Sequence, residues 1–110
     1  DHPQLMVNPS LEMVQQTLAT SHVVKTLNTI NYRNMIKPNF KQGTPTMFMC
    51  GNNESAKLHV KELLVEIGWL DIQDIGAIEK SRLLEPLCLL WVEYGIANDT
   101  WDHAISFLKK

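Results

Sequence analysis

Apolar residues recur at helical spacing in one stretch of the chain and in short unbroken runs on either side of it, and that contrast lays out the elements. "GNNESAKLHVKELLVEIG" places Ala56, Val60, Leu63, Leu64 and Ile67 on one helical face, with Lys57, Lys61, Glu62 and Glu66 on the other. Asn52 or Asn53 caps the start, Glu54 suits the positive end of the helix dipole, and Gly68 provides the stop. Before this helix, "TMFMC" (46–50) lies between Pro45 and Gly51 and reads as a strand. After it, "LDIQDIG" alternates through Leu70, Ile72 and, after a one-residue slip, Ile75, as a half-buried strand ending at Gly76 does. Strand, capped helix and strand at this spacing make a βαβ unit, which crosses over right-handed and builds parallel sheet.

Upstream, "NPSLEMVQQTL" offers Asn8 as N-cap, Pro9 at the first helical position, and Leu11, Val14 and Leu18 as one stripe of a short amphipathic helix. A short apolar strand, 23–27, follows and stops at the polar pair Asn28-Thr29 with no Gly or Pro to turn the chain. Residues 31–46 read as a loop punctuated by Pro38, Gly43 and Pro45, with one helical turn at 32–36. Downstream, "SRLLEPLCLLWVEYG" is apolar nearly all round from 83 to 92. Such a helix is expected to be buried against something beyond its own sheet, with Pro86 in its first turn or at a kink. The tail "DTWDHAISFLKK" alternates weakly and is expected to form an edge strand.

Composition narrows the choices of function. A chain of 110 residues, 45% hydrophobic and 20% charged, suits a single globular domain over 1–110. A net charge of −2 with no cluster of Lys or Arg gives no field for nucleic acid or acidic membranes. No apolar run approaches the roughly 20 residues of a membrane span, and no signal-peptide core opens the chain, which begins at Asp1. A cytoplasmic location is expected, with Cys50 and Cys88, both inside apolar runs, as reduced core thiols. The four histidines are scattered, no Gly-x-Ser-x-Gly elbow occurs, and neither paired His nor CxxC spacing is present. Five glycines, at 43, 51, 68, 76 and 95, cannot make a Gly-rich phosphate turn.

The segments "VVKTLNTI", "MFMCGNNESAKLHVKELLVEIGWLDIQDIG" and "SRLLEPLCLLW", in that order, resemble the distal half of a family of NADP-dependent oxidoreductases. The family is typified by the deazaflavin-coenzyme NADP reductases, with the cytosolic reductase domains of six-transmembrane ferric reductases as relatives. Its pattern is a strand ending in Ala-Phe-Asn-Thr or a variant, a "CGDD" helix start, a "DAGPL" strand end and an Arg-Leu-x-Glu helix, matched here over residues 22–108. This chain departs from it at Asn52-Asn53, where the family has acidic caps, and at "DIGAIEKSR", which lacks the family's Pro.

The resemblance implies an α/β, partial Rossmann-like (doubly wound) domain: the C-terminal half, with parallel strands and flanking helices, lacking the Gly-rich first βαβ. It implies a small-molecule redox cofactor, NADP, passing hydride to a flavin or deazaflavin with no strongly tuned acid–base residue, and the His and Cys spacing offers no metal site. Ligands in doubly wound folds bind in the crevice outside the carboxyl ends of the strands. The family sets the strand-end turn beside the nicotinamide and the flavin-like ring, making Asn28, Thr29 and Ile30 the cofactor-binding candidates. Without the phosphate-binding half, the chain is expected to be inactive alone.

Plainer readings stand beside these. Asn28 simply turns the strand end, Ile30 is core, and Arg82 and Glu85 form an i,i+3 ion pair on the helix surface. Trp91, Tyr94 and Trp101 are core or interface anchors. His103 is a surface residue in a segment that approaches the pocket in relatives. At the level of the whole chain the alternatives are a non-catalytic self-association module, homo-oligomeric through the 23–27 strand edge and the apolar helix, or a degenerate pseudo-reductase.

Overall fold

Two groups of apolar side chains, one on each face of a three-stranded sheet, form the core. The computed structural model describes residues 10–110, so the expected Asn8 cap and Pro9 lie outside the described residues. The central strand β2 (Thr46–Gly51) is buried at every position. Successive side chains of a strand point to opposite faces. Met47 accordingly joins Ile30, Leu64 and Trp69, while Phe48 and Cys50 join Ile78 and Leu84. Helix α2 (Glu54–Glu66) covers the first face through Leu64, and α3 (Ser81–Asn98) the second through Leu84.

The βαβ unit forms, though Leu63, expected on the apolar face of the helix, is exposed, as is Leu70, which stands outside the strand it was expected to open. Strand β3 (Asp71–Asp74) runs parallel to β2, with Thr46 opposite Asp71 and Met49 opposite Asp74. Asn53 caps α2, its side-chain oxygen accepting the Ala56 amide at 2.7 Å. Gly68 ends the helix at φ 112°, where a Cβ would stand 2.8 Å from the Lys37 Cα. The tight approach lets the Lys37 amide donate to the last-turn carbonyl of Ile67 at 2.6 Å.

The short strand β1 (Val24–Thr26) pairs with the other edge of β2, in the order β1-β2-β3, but runs antiparallel to it, with Val24 opposite Gly51. The α/β class and the flanking helices hold, and the sheet is mixed rather than parallel throughout. The connection explains this. Residues 27–45 contain one 3₁₀ turn (Tyr32–Asn34) and no crossover helix, so the chain re-enters the sheet at the rim where it left. Helix α1 (Ser10–Thr17) precedes β1, and the Gln15 side chain ties them by accepting the Val23 amide and donating to the Ser21 carbonyl.

Lys57 departs from its expected place on the solvent side of α2, being only 4% exposed. Its ammonium reaches Asp74 at 2.9 Å, Glu54 at 3.0 Å and the Gly76 carbonyl at 3.3 Å, using all three donors. Burial alone pushes its pKa down, but hydrogen bonds and charges from Asp74 and Glu54 outweigh burial and the net direction is up. The stabilisation is therefore complete below the ordinary lysine range, near about 10.4, and is lost as pH rises through the higher folded value. Lys57→Met is expected to cost about 1.5–3 kcal/mol at neutral pH. The gap in urea midpoint between variant and wild type should shrink as the pH climbs above about 10.4.

Three expectations in the last third change. Helix α3 is not buried all round: Leu84, Trp91 and Gly95 are buried, while Leu83, Leu89, Leu90, Tyr94 and Ile96 are exposed, because the sheet covers one side only. Arg82 and Glu85 do not pair with each other. Arg82 holds both carboxylate oxygens of Glu12 on α1, and Glu85 accepts from Lys25 of β1 at 3.1 Å, so the two charges fasten α3 to separate elements. The tail 99–110 lies against the start of β2 without forming a strand. The Thr46 amide donates to the Ile105 carbonyl, but the Phe107 amide donates to the Thr46 hydroxyl, a side chain occupying what would be a ladder position.

Among the described residues no helix is long and apolar enough to cross a membrane, and no group of three His, Cys, Asp or Glu is placed to hold a metal ion. Cys50 is buried and Cys88 half-buried, both free.

Candidate functional site

The exit of β1 answers how an apolar strand turns without Gly or Pro: Leu27 adopts φ 59°, in the left-handed region. For a residue with a Cβ this conformation costs roughly 1–2 kcal/mol. The side chains around it hold the turn. The Asn28 amide donates to the Leu84 carbonyl of α3 at 2.7 Å, Thr29 is 1% exposed, and Ile30 is part of the core. Asn28 thus turns the strand end and also anchors it to α3. Two buried atoms here, Asn28 Oδ1 and Thr29 Oγ1, have no hydrogen-bond partner among the described residues. Strained backbone beside unsatisfied buried polar atoms is a feature that folding alone does not require.

The position of this turn differs from the one expected. Because β1 is antiparallel to β2, it runs toward the amino rim of the parallel pair, stopping with Thr26 level with Met49 and Asp74, so Asn28 and Thr29 lie beyond a strand end that points away from the carboxyl rim. On that amino rim of β2 lies a half-open cavity of about 640 Å³, lined by the 40–45 loop, α3 and the tail. Its walls include Phe40, Leu90, Trp91, Tyr94, His103 and Ile105. Asn28, Thr29 and Ile30 do not line it. Ile30 sits one layer behind, since Phe40 and Ala104, both wall residues, pack against the core group that contains it.

His103 is no surface residue. Trp91 Nε1–H donates to the His103 carbonyl at 3.0 Å, and His103 Nε2 lies 2.8 Å from the Trp91 carbonyl. A carbonyl only accepts, so Nε2 carries the hydrogen. Each side chain clasps the backbone of the other, and their rings stack at 4.4 Å and 18°. Tyr94 closes on the same imidazole at 4.8 Å. Nδ1 is buried and has no partner among the described residues. With Nε2 tied to the Trp91 carbonyl and the ring stacked on the indole, His103 is held as a wall of the cavity. At the mouth, the Asp102 carboxylate accepts from Asn34 at 3.3 Å and Ser106 donates to the Thr44 carbonyl at 2.6 Å.

The arrangement is an aromatic slot with polar groups at its edge, in the size range of small-molecule sites. Its flat walls suit a flat conjugated ring, which stacks on aromatic faces. A dinucleotide pyrophosphate, by contrast, does not fit the described residues. The Asn52 and Asn53 side chains ahead of α2 are already committed to the Ile78 and Ala56 amides, and α3 follows the 3₁₀ turn Ile78–Lys80 rather than a Gly-rich loop. Sequence reasoning missed Phe40 and residues 104–106 as walls. The available signal was the crowding of Trp91, Tyr94, Trp101 and His103 into one short stretch.

No family model matches the chain, and no curated protein matches it. Among solved structures it superposes, with a TM-score of 0.87 and 33% identity, on a protein from Arthrobacter sp. FB24 provisionally assigned as an F420-dependent NADP reductase. The match covers 94% of this chain and 48% of that one, so the chain spans about half the length of its neighbour. Along nearly its whole length, the chain is therefore similar in fold and sequence to about half of a reductase-type protein with a partial Rossmann-like architecture.

Proposed function

We propose that the chain is the acceptor side of an NADP-linked oxidoreductase of the deazaflavin type. The aromatic cavity receives the flat ring of a deazaflavin or flavin, and the turn of Asn28, Thr29 and Ile30, one layer behind its wall, marks the side from which the nicotinamide approaches. The observation that carries this reading is the cavity itself, lined by Phe40, Trp91, Tyr94 and the His103 ring stacked on Trp91. Such a site suits chemistry brought by cofactors: the ring would supply a two-electron hydride acceptor, and the protein contributes orientation and exclusion of water. The unpartnered Asn28 Oδ1 and Thr29 Oγ1 suit a carboxamide, which both donates and accepts. The outer edge of β1 supports the same picture. A strand added there parallel to β1 would end beside Asn28, bringing a dinucleotide-binding half to this rim.

Titration of the 110-residue chain tests the reading. 5-Deazariboflavin is expected to quench tryptophan emission with a Kd in the range of about 10–100 μM, and NADPH to bind more weakly than about 1 mM. Micromolar NADPH affinity in this form would contradict it.

A second reading, self-association without catalysis, draws on the exposed Leu83, Leu89, Leu90, Tyr94 and Ile96 of α3. Exposed apolar side chains in two stripes along α3 suit contact with a second copy of the chain. The readings separate on ring binding, which an assembly module has no reason to show.

A further inference from the structure

The tail that walls the cavity contains no regular secondary structure, yet its residues Ala104, Ile105, Ser106 and Leu108 all line the opening. Something must hold this strap at a fixed distance from α3 and the 40–45 loop. At its near end that is the Trp91–His103 clasp. At its far end the contacts converge on one buried residue, Thr46, at the first position of β2. The Thr46 amide donates to the Ile105 carbonyl at 2.8 Å, its hydroxyl accepts the Phe107 amide at 2.9 Å, and the same hydroxyl lies 2.5 Å from the Asp71 carboxylate. A carboxylate only accepts, so the Thr46 hydrogen points to Asp71 and the hydroxyl lone pairs are left for the strap. Asp71 also takes Gln73 at 2.6 Å and Lys109, beyond the strap, at 3.2 Å. The Thr46 hydroxyl first, then Gln73 and Lys109, hold its carboxyl below the usual carboxylate range, so it remains the acceptor that orients this set.

We infer that Thr46, oriented by Asp71, is the positioning residue of the cavity: its hydroxyl sets the register of the 104–108 strap and through it the width of the slot for a flat ring. Neither residue touches the ring. Both act through the strap, and the inference rests on the reading of the cavity as a ring site. Two features make one hydroxyl sufficient. The strap has no ladder of its own, so past the Ile105 carbonyl the Phe107 bond is its tie through the backbone, beside side-chain contacts such as the Phe48–Phe107 ring pair and Lys109 on Asp71. Ser106, whose hydroxyl reaches the Thr44 carbonyl, is exposed and competes with water for that bond.

The test compares Thr46→Val, which keeps the shape and removes the hydroxyl, with Thr46→Ser, which restores it, in the 110-residue chain with 5-deazariboflavin as probe. Thr46→Val is expected to weaken ring binding about tenfold and to abolish the exchange protection of the Phe107 amide, while Thr46→Ser stays within about twofold of wild type in both. Unchanged protection of the Phe107 amide in Thr46→Val overturns the proposal, as does an unchanged ring affinity in a chain that binds the ring. Failure of Thr46→Ser to restore the two signals also overturns it, because packing rather than the hydroxyl would then be at work. Should the wild-type chain take up no ring, the acceptor-side reading and the assigned width control fail together, whereas the Phe107 exchange result still decides whether Thr46 sets the strap. If Thr46→Val does not fold, Lys109→Met, at an exposed position, replaces it. Binding weakened by about two- to threefold with faster Phe107 exchange supports the proposal, and no change in either overturns it.

Discussion

Replacing Trp91 by alanine is expected to remove about 3–5 kcal/mol of stability, against about 1 kcal/mol for phenylalanine. Trp91 is among the buried residues of α3, and three separate interactions end on its ring. The indole packs face to face with His103, leans on Trp101 at 5.7 Å, and donates its N–H to the His103 carbonyl. Phenylalanine keeps most of the buried apolar surface and a stacking face but leaves that carbonyl without its donor. Alanine removes the platform on which the strap begins. A loss of that size is a large fraction of the few kcal/mol that hold a domain this small. Urea unfolding measures both variants. Because the ring is also a wall of the cavity, Trp91→Ala should abolish ring binding and Trp91→Phe should retain it. An alanine variant as stable as wild type would show that the clasp does not support the strap.

Gly95→Ala should lower stability by about 1–3 kcal/mol, despite gaining up to about 1 kcal/mol from the better helix propensity of alanine. The sign is decided by what the added methyl would meet. A Cβ at Gly95 would stand 2.5 and 2.7 Å from carbons of the Trp101 ring and 2.8 Å from the Thr100 carbonyl oxygen. The ring can swing away, but the carbonyl belongs to the turn in which the Thr100 amide donates back to Gly95, just past the left-handed Asp99 that ends α3. The melting temperature is expected to fall by roughly 5–15 °C. Adding Trp101→Ala to Gly95→Ala should recover part of that loss by removing the nearest clash. A Gly95→Ala chain more stable than wild type would mean that helix propensity outweighs this contact.

Much of the fold is legible in the sequence where local chemistry and tertiary packing agree. The βαβ unit is such a case: the Asn53 cap, the Gly68 stop and the apolar runs at 46–50 and 70–75 all describe the same arrangement. Legibility ends where a residue answers to something distant in the chain. Lys57 reads as a solvent-facing position by helical period, but Asp74, seventeen residues on, draws it inward. Arg82 and Glu85 read as a local pair, and each finds its partner on a separate element instead. The direction of β1 depends on the left-handed turn at Leu27, a conformation that nothing in a Leu-Asn-Thr sequence announces.

The candidate site divides in the same way. Asn28, Thr29 and Ile30 follow from the family resemblance, and the structure adds the strained turn and the two buried atoms without partners among the described residues. The cavity could not be read from the sequence, because its walls come from three distant segments: the 40–45 loop, α3 and the tail. The tail's weak alternation suggests a strand, and the Thr46 hydroxyl diverts it into a strap.

The most direct test of the central claim, that the aromatic slot on the amino rim of β2 is the seat of a redox ring, is an amide chemical-shift map of the chain titrated with 5-deazariboflavin. Shifts concentrated at residues 40–45, 90–94 and 103–106, with smaller ones at 28–30, are the predicted result. Shifts confined to the opposite rim, at 51–54 and 74–78, or none at saturating probe, would contradict it.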